Sequence, residues 1–97
     1  MSESDAIIAA VEARADEIRG RFGVSRLGVF GSRVHGEASS ESDLDVLVEF
    51  EVPTFRNYMG LKRFLEEITG TKVDLVSAAA VRPAMRAYIM SEVRYVA

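Results

Sequence analysis

Asp43 and Asp45 stand two residues apart where the apolar run Leu44-Asp45-Val46-Leu47-Val48-Glu49-Phe50 begins. If that run is a β-strand, its period of two places both carboxylates on one face, roughly 6–7 Å apart along the chain. Like charges at that spacing repel unless a cation lies between them. Mg²⁺ suits such a pair because it takes a few carboxylate oxygens and keeps its other positions for water and substrate phosphates. The short Asp side chain also holds an ion close to a rigid strand. Upstream, Gly31-Ser32 closes another apolar run. Glycine admits a phosphate close to the backbone because it has no Cβ. Ser32 adds an N–H and a hydroxyl, and Arg33 a guanidinium suited to a triphosphate. Downstream, Asp74 interrupts the short apolar segment Val73-Asp74-Leu75. Facing away from the core as Asp45 would, it completes a carboxylate set for two ions, one activating the attacking oxygen and one stabilising the leaving group. Asp74 is also placed to accept the proton of an incoming hydroxyl.

Taken singly, each feature is ordinary. An Asp-x-Asp pair at a strand entrance is usually solvated, Gly-Ser is a common turn, and one Asp in a short strand is usually its polar face. The order is what carries information: Gly-Ser after one strand, Ser-Asp-x-Asp opening the next, and a third Asp central in a later one.

The rest of the chain must position these groups. Ile7, Val11, Ala15, Ile18 and Phe22 recur at helical spacing and predict one amphipathic helix over 4–22, with Gly20 and Gly23 as its stop. Residues 26–31 and 44–50 read as strands able to pair antiparallel. Gly28 inside the first implies close approach of another backbone or helix. After Pro53, Thr54 can cap a helix over 55–69 that ends at Gly70. Lys72–Val76 is a short strand. A further helix from about 80 to 92 tolerates Pro83 in its first turn, with Val81, Met85, Tyr88 and Ile89 as its core stripe. Arg94-Tyr95-Val96 is a short edge strand. Glu66 and Glu67 read as part of a solvated face. The expected fold is therefore α+β: a small mixed sheet of three to four strands packed with about three α-helices, in one domain spanning 1–97 (helix 4–22, core 24–97).

Composition bounds the function. The 97 residues carry 15 acidic and 12 basic groups, net −3, which disfavours broad nucleic-acid binding. Cysteine is absent, which removes disulfides, thiolate metal sites and a cysteine nucleophile. No apolar run reaches spanning length, so no membrane role is expected. The acidic N-terminus lacks the basic region of a signal peptide, and a cytoplasmic location is expected.

Gly31-Ser32, the spacer of residues 33–42, Asp43-x-Asp45 and later Asp74 resemble the signature of the DNA polymerase β-like nucleotidyltransferase superfamily. The fuller string Gly31-Ser32-Arg33-x-x-Gly36-x-Ala38-x-x-x-Ser42-Asp43-Leu44-Asp45 resembles its minimal prokaryotic members, the MNT (MntA-like) antitoxins. The closing Arg82-Pro83-x-Met85-Arg86-x-x-Ile89-x-x-Glu92 is also similar to these small proteins, without a chemical role attached. The resemblance implies a nucleotidyltransferase fold, metal ligation by Asp43, Asp45 and Asp74, and phosphate contact by Gly31 and Ser32. It implies two Mg²⁺ ions with nucleotide bound, ATP as donor, and transfer of NMP to a hydroxyl with release of pyrophosphate. The implied partner is a HEPN-type ribonuclease toxin that assembles with the chain and presents the hydroxyl. Two alternatives stand beside it: a catalytically vestigial antitoxin that acts by binding, and a transferase acting on a small molecule.

Overall fold

The computed structural model describes residues 3–31 and 43–97. Its elements are α1 (Glu3–Glu12), α2 (Ala15–Phe22), β1 (Val24–Phe30), β2 (Leu44–Phe50), α3 (Phe55–Thr69), β3 (Val73–Ser77), a 3₁₀ turn (Ala78–Ala80), α4 (Pro83–Glu92) and β4 (Arg94–Tyr95). The strands form one mixed sheet in the order β3-β2-β1-β4, with β2 and β3 parallel and the other pairs antiparallel. The α+β class and the small mixed sheet agree with the sequence; the described residues form four α-helices because the first expected helix is divided.

Alternation along the strands divides the sheet into two unequal faces. Leu27, Val29, Leu44, Val46, Val48, Val73 and Leu75 point to one side and pack under α1, α2 and α3, which contribute Ile7, Ile8, Val11, Ile18, Phe22, Leu61, Phe64 and Leu65. This is the main core. Val24 joins it despite sharing parity with Arg26, because a bulge between them shifts the register against β2. On the other face a small apolar cluster of Phe30, Leu47 and Ile89 is buried, with Val76, Ala78, Val81 and Val93 partly so. That small cluster is the seat of α4.

The predicted helix over 4–22 is two helices. Arg14 N–H donates to Val11 O at 3.0 Å, a tightened i→i+3 turn, and Arg14 has φ −109°, ψ 13°. The apolar stripe survives the break, since Ile18 and Phe22 remain buried. Gly20 lies inside α2, and the stop is Gly23 alone, in the left-handed region at φ 61°. Gly70 ends α3 in the same way, at φ 70°. Thr54 caps α3 by accepting from Asn57 N–H at 3.1 Å. The helix expected from residue 80 starts at Pro83. Arg82, before the proline, is held extended at ψ 143°, as the proline ring demands.

Two side chains on α3 fix β3. Tyr58 Oη–H donates to Leu75 O at 2.5 Å, and Val73 N–H donates to Glu66 Oε2 at 3.0 Å. Glu66 is therefore not merely a solvated group. It satisfies a strand-end donor that has no place in the ladder.

Gly28 meets its expected neighbour. A Cβ there would sit 2.5 Å from Val93 Cγ2 and 3.3 Å from Arg94 O, where the chain passes from α4 into β4. Gly28→Ala should destabilise the protein by about 1–3 kcal/mol, the usual range for overpacking. Urea unfolding of the two proteins measures this.

Candidate active site

Parallel pairing places Leu44 opposite Val73 and Asp45 opposite Asp74. Paired residues on adjacent strands lie about 4.8 Å apart across the sheet, and both carboxylates leave it on the α4 face. Antiparallel pairing puts Phe30 opposite Asp45 on the other side, so Gly31 falls directly beyond that row. Gly31 has φ 88°, and a Cβ on it would run into the Asp45 carboxylate. Glycine is thus required twice here, by backbone conformation and by the approach of a charged group.

Asp45 is half-buried, whereas Asp43 and Asp74 are exposed. Burial pushes the Asp45 carboxyl above its ordinary value of 3.8, and the neighbouring charges of Asp74 and then Asp43 push it the same way. A hydrogen bond with the Asp74 side chain adds to the shift. Asp45 therefore retains its proton more readily than an isolated carboxylate would.

An open depression of about 460 Å³ adjoins these groups. Gly31, Asp45 and Asp74 border it on the strand side, and Val81, Arg82, Met85 and Tyr88 on the α4 side, while Phe30, Val76 and Ile89 complete the lining. Of the expected α4 core stripe only Ile89 is buried; Met85 and Tyr88 are 48% and 51% exposed. Helical spacing gave the right face but not its cover, because α4 overhangs a narrow sheet and its flank projects past the strands. A larger hollow of about 700 Å³ lies toward the opposite ends of β1 and β2, lined by Arg26, Glu49, Arg86 and Tyr95 among others, and brings no two carboxylates together.

The structure thus gathers Gly31, Asp45 and Asp74. Asp43 precedes β2, acts on Asp45 as a charge, and does not border the depression. Among the described residues, no three acidic or imidazole side chains already converge as a metal cage. Ser32 and Arg33 lie outside the described residues, as do His35 and Ser42. Sequence reasoning assigned no chemistry to Arg82 or Tyr88. Their signal was the familiar segment Arg82–Glu92, which carried no role of its own.

A family model for a nucleotidyltransferase domain matches residues 12–96. The protein adenylyltransferase MntA of Thermococcus cleftensis is 42% identical over 85 residues, which span 87% of this chain and 86% of that protein. A solved structure described as a minimal nucleotidyltransferase superposes with a TM-score of 0.73 at 36% identity, covering 90% of this chain and 93% of the other. A Shewanella oneidensis complex of a tri-AMPylated HEPN toxin with an MNT antitoxin shares the fold, with a TM-score of 0.64 at 15% identity, covering 93% of this chain and 71% of that one.

Because the Asp45 pKa is raised on folding, the native state binds more protons than the unfolded chain between the ordinary value and the raised one. Stability then falls as pH rises through that window. Thermal unfolding in EDTA should give a higher Tm at the acid end of that window than above it. Asp45→Asn should raise the Tm at neutral pH and flatten that dependence. Gly31→Ala should lower the Tm at every pH.

Proposed function

The chain belongs to the nucleotidyltransferase domain family, and on that premise we propose that it transfers AMP from ATP to a hydroxyl of a partner protein, as the antitoxin partner of a HEPN-type toxin. The observation that carries the reading is the Asp45–Asp74 pair in parallel register beneath the Gly31 turn. The 42% identity to a named protein adenylyltransferase supports the reaction class. The toxin–antitoxin complexes among the structural neighbours motivate the partner.

The donor set fits Mg²⁺. All three side chains offer hard carboxylate oxygens, and the repulsion that adds to burial in raising the Asp45 pKa is what a divalent cation relieves. Asp45 and Asp74 would hold the ion or ions, with Asp43 as the remaining donor at the entrance of β2. When bound, Mg²⁺ supplies charge for the phosphates and lowers the pKa of an oxygen on it. The protein's own residues do the rest. The Gly31 turn would bring backbone close to the phosphates without a Cβ in the way; Ser32 and Arg33, which the sequence offers as further phosphate contacts, lie outside the described residues. Asp74 accepts the proton of the acceptor hydroxyl. The hydroxyl oxygen of the acceptor forms a bond to the α-phosphorus as the bond from that phosphorus to the α,β-bridging oxygen breaks, and pyrophosphate leaves with the electron pair.

The open aspect of the depression favours a macromolecular acceptor. A second protein seated against the site would exclude water and close its open side.

Incubation with ATP, Mg²⁺ and the HEPN-type partner should add one or more AMP groups to the partner, read by intact mass. Asp45→Asn or Asp74→Asn should reduce transfer at least about 100-fold, since each removes a metal-facing carboxylate. Full protection of cells by an Asp43→Asn/Asp45→Asn variant that transfers nothing would instead assign the function to binding alone.

A further inference from the structure

The depression has two chemically different sides, and only the carboxylate side takes part in the reaction above. The other side is one edge of α4. Met85 and Tyr88 stand about one turn apart on α4, and Arg82 is the extended residue just before its first turn; all three border the depression. The Arg82 side chain forms no ion pair or hydrogen bond with any described residue, although it borders the same hollow as Asp45 and Asp74. Met85 and Tyr88 present an exposed thioether and an exposed ring beside it. Among the described residues, a cation without a partner and an exposed aromatic ring thus border one concavity, the ring on a helix whose buried side chain is Ile89.

We infer that this α4 edge is the nucleotide-binding wall of the site, with Arg82 contacting the triphosphate and Tyr88, backed by Met85, stacking on the base. The inference rests on the nucleotidyltransferase reading and goes on to assign residues that reading leaves idle. A nucleoside triphosphate is the ligand that matches both features at once. It carries dense negative charge at one end, which an arginine fork binds well. At the other end it carries a flat π-face, which an aromatic side chain accepts whatever the base identity. A neutral hydroxyl acceptor would leave Arg82 unpaired. Charge points the same way. Three aspartates and a triphosphate of about −4 sum to about −7, and two divalent ions return +4, so a lining cation still meets excess negative charge. The volume, about 460 Å³, lies within the range of small-molecule sites.

The test is equilibrium binding by titration calorimetry, on the full chain with Mg²⁺, of α,β-methylene-ATP and of AMP. That analogue cannot release pyrophosphate, so binding is read without turnover. Arg82→Gln should weaken the triphosphate analogue about tenfold, and AMP less, because it removes a charge-assisted contact to phosphates that AMP lacks. Tyr88→Ala should weaken both ligands by a similar factor of about ten, and Tyr88→Phe should bind as the parent does, because stacking needs the ring and not the hydroxyl. Both positions are exposed, so each variant should unfold at the parent temperature, which thermal melts verify. Binding within about twofold of the parent for both Arg82→Gln and Tyr88→Ala overturns the inference. So does unchanged nucleotide binding with lost transfer in Tyr88→Ala, which would give the wall to the acceptor protein. A parent protein that binds no triphosphate with Mg²⁺ overturns the transferase reading itself, and this inference with it.

Discussion

The parallel pairing of β2 with β3 is the constraint on which the rest of the molecule depends. It sets Asp45 against Asp74, two acidic side chains carried on separate strands. A slip of one residue would turn Asp74 into the main core and Val73 out of it. Register is therefore held from several sides. Leu44 N–H donates to Lys72 O at 2.8 Å, Glu66 holds the amide of Val73, and Tyr58 holds the carbonyl of Leu75. The last two come from α3, the crossover helix that parallel pairing itself requires. The connection between the strands thus also fixes their alignment.

That arrangement is unfavourable locally and is sustained from a distance. A half-buried carboxylate beside another carboxylate opposes folding, as the raised pKa of Asp45 shows. The stabilising apolar burial lies on the opposite face, where three helices cover the same strands. Each strand therefore has two occupations. Leu44, Val46 and Val48 anchor β2 in the core, and Asp45 is carried between them on the other side. A single bulge near Ser25 keeps Val24 in that core, and Ser25 Oγ–H closes the irregularity by donating to Glu49 O at 3.0 Å.

Much of this was legible in the sequence because it follows from short-range rules. The apolar face of Leu44, Val46 and Val48, the glycine stops at 23 and 70, the Thr54 cap and the proline at the start of α4 all act within a few residues, and each appears where local chemistry places it. Asp74 was legible as a charge inside an apolar strand, and Gly28 as a strand glycine needing a neighbour. Other features depend on partners far along the chain. The break at Ala13–Arg14 has no glycine or proline to announce it. Glu66 looked like one more charge on a helix, and only its distance to Val73 N reveals its role. Periodicity identified the apolar flank of α4 but could not say how much sheet lay beneath it, so Met85 and Tyr88 were read as core.

That last difference has a physical origin that also explains where the site is. The sheet's second face carries a small cluster, Phe30, Leu47 and Ile89, enough to seat one short helix and no more. A helix laid over so narrow a seat leaves its flank beyond the strand ends. The strand ends are where Gly31, Asp45 and Asp74 emerge. Partial coverage is thus what makes a concavity with carboxylates on one side and an arginine and a tyrosine on the other. Had this face been covered as fully as the first, Asp45 would be buried without solvent or cation, at a cost no chain of 97 residues readily sustains. The incomplete second layer accords with the charge on β2 and β3, and the opening it leaves is the concavity that Asp45 and Asp74 border.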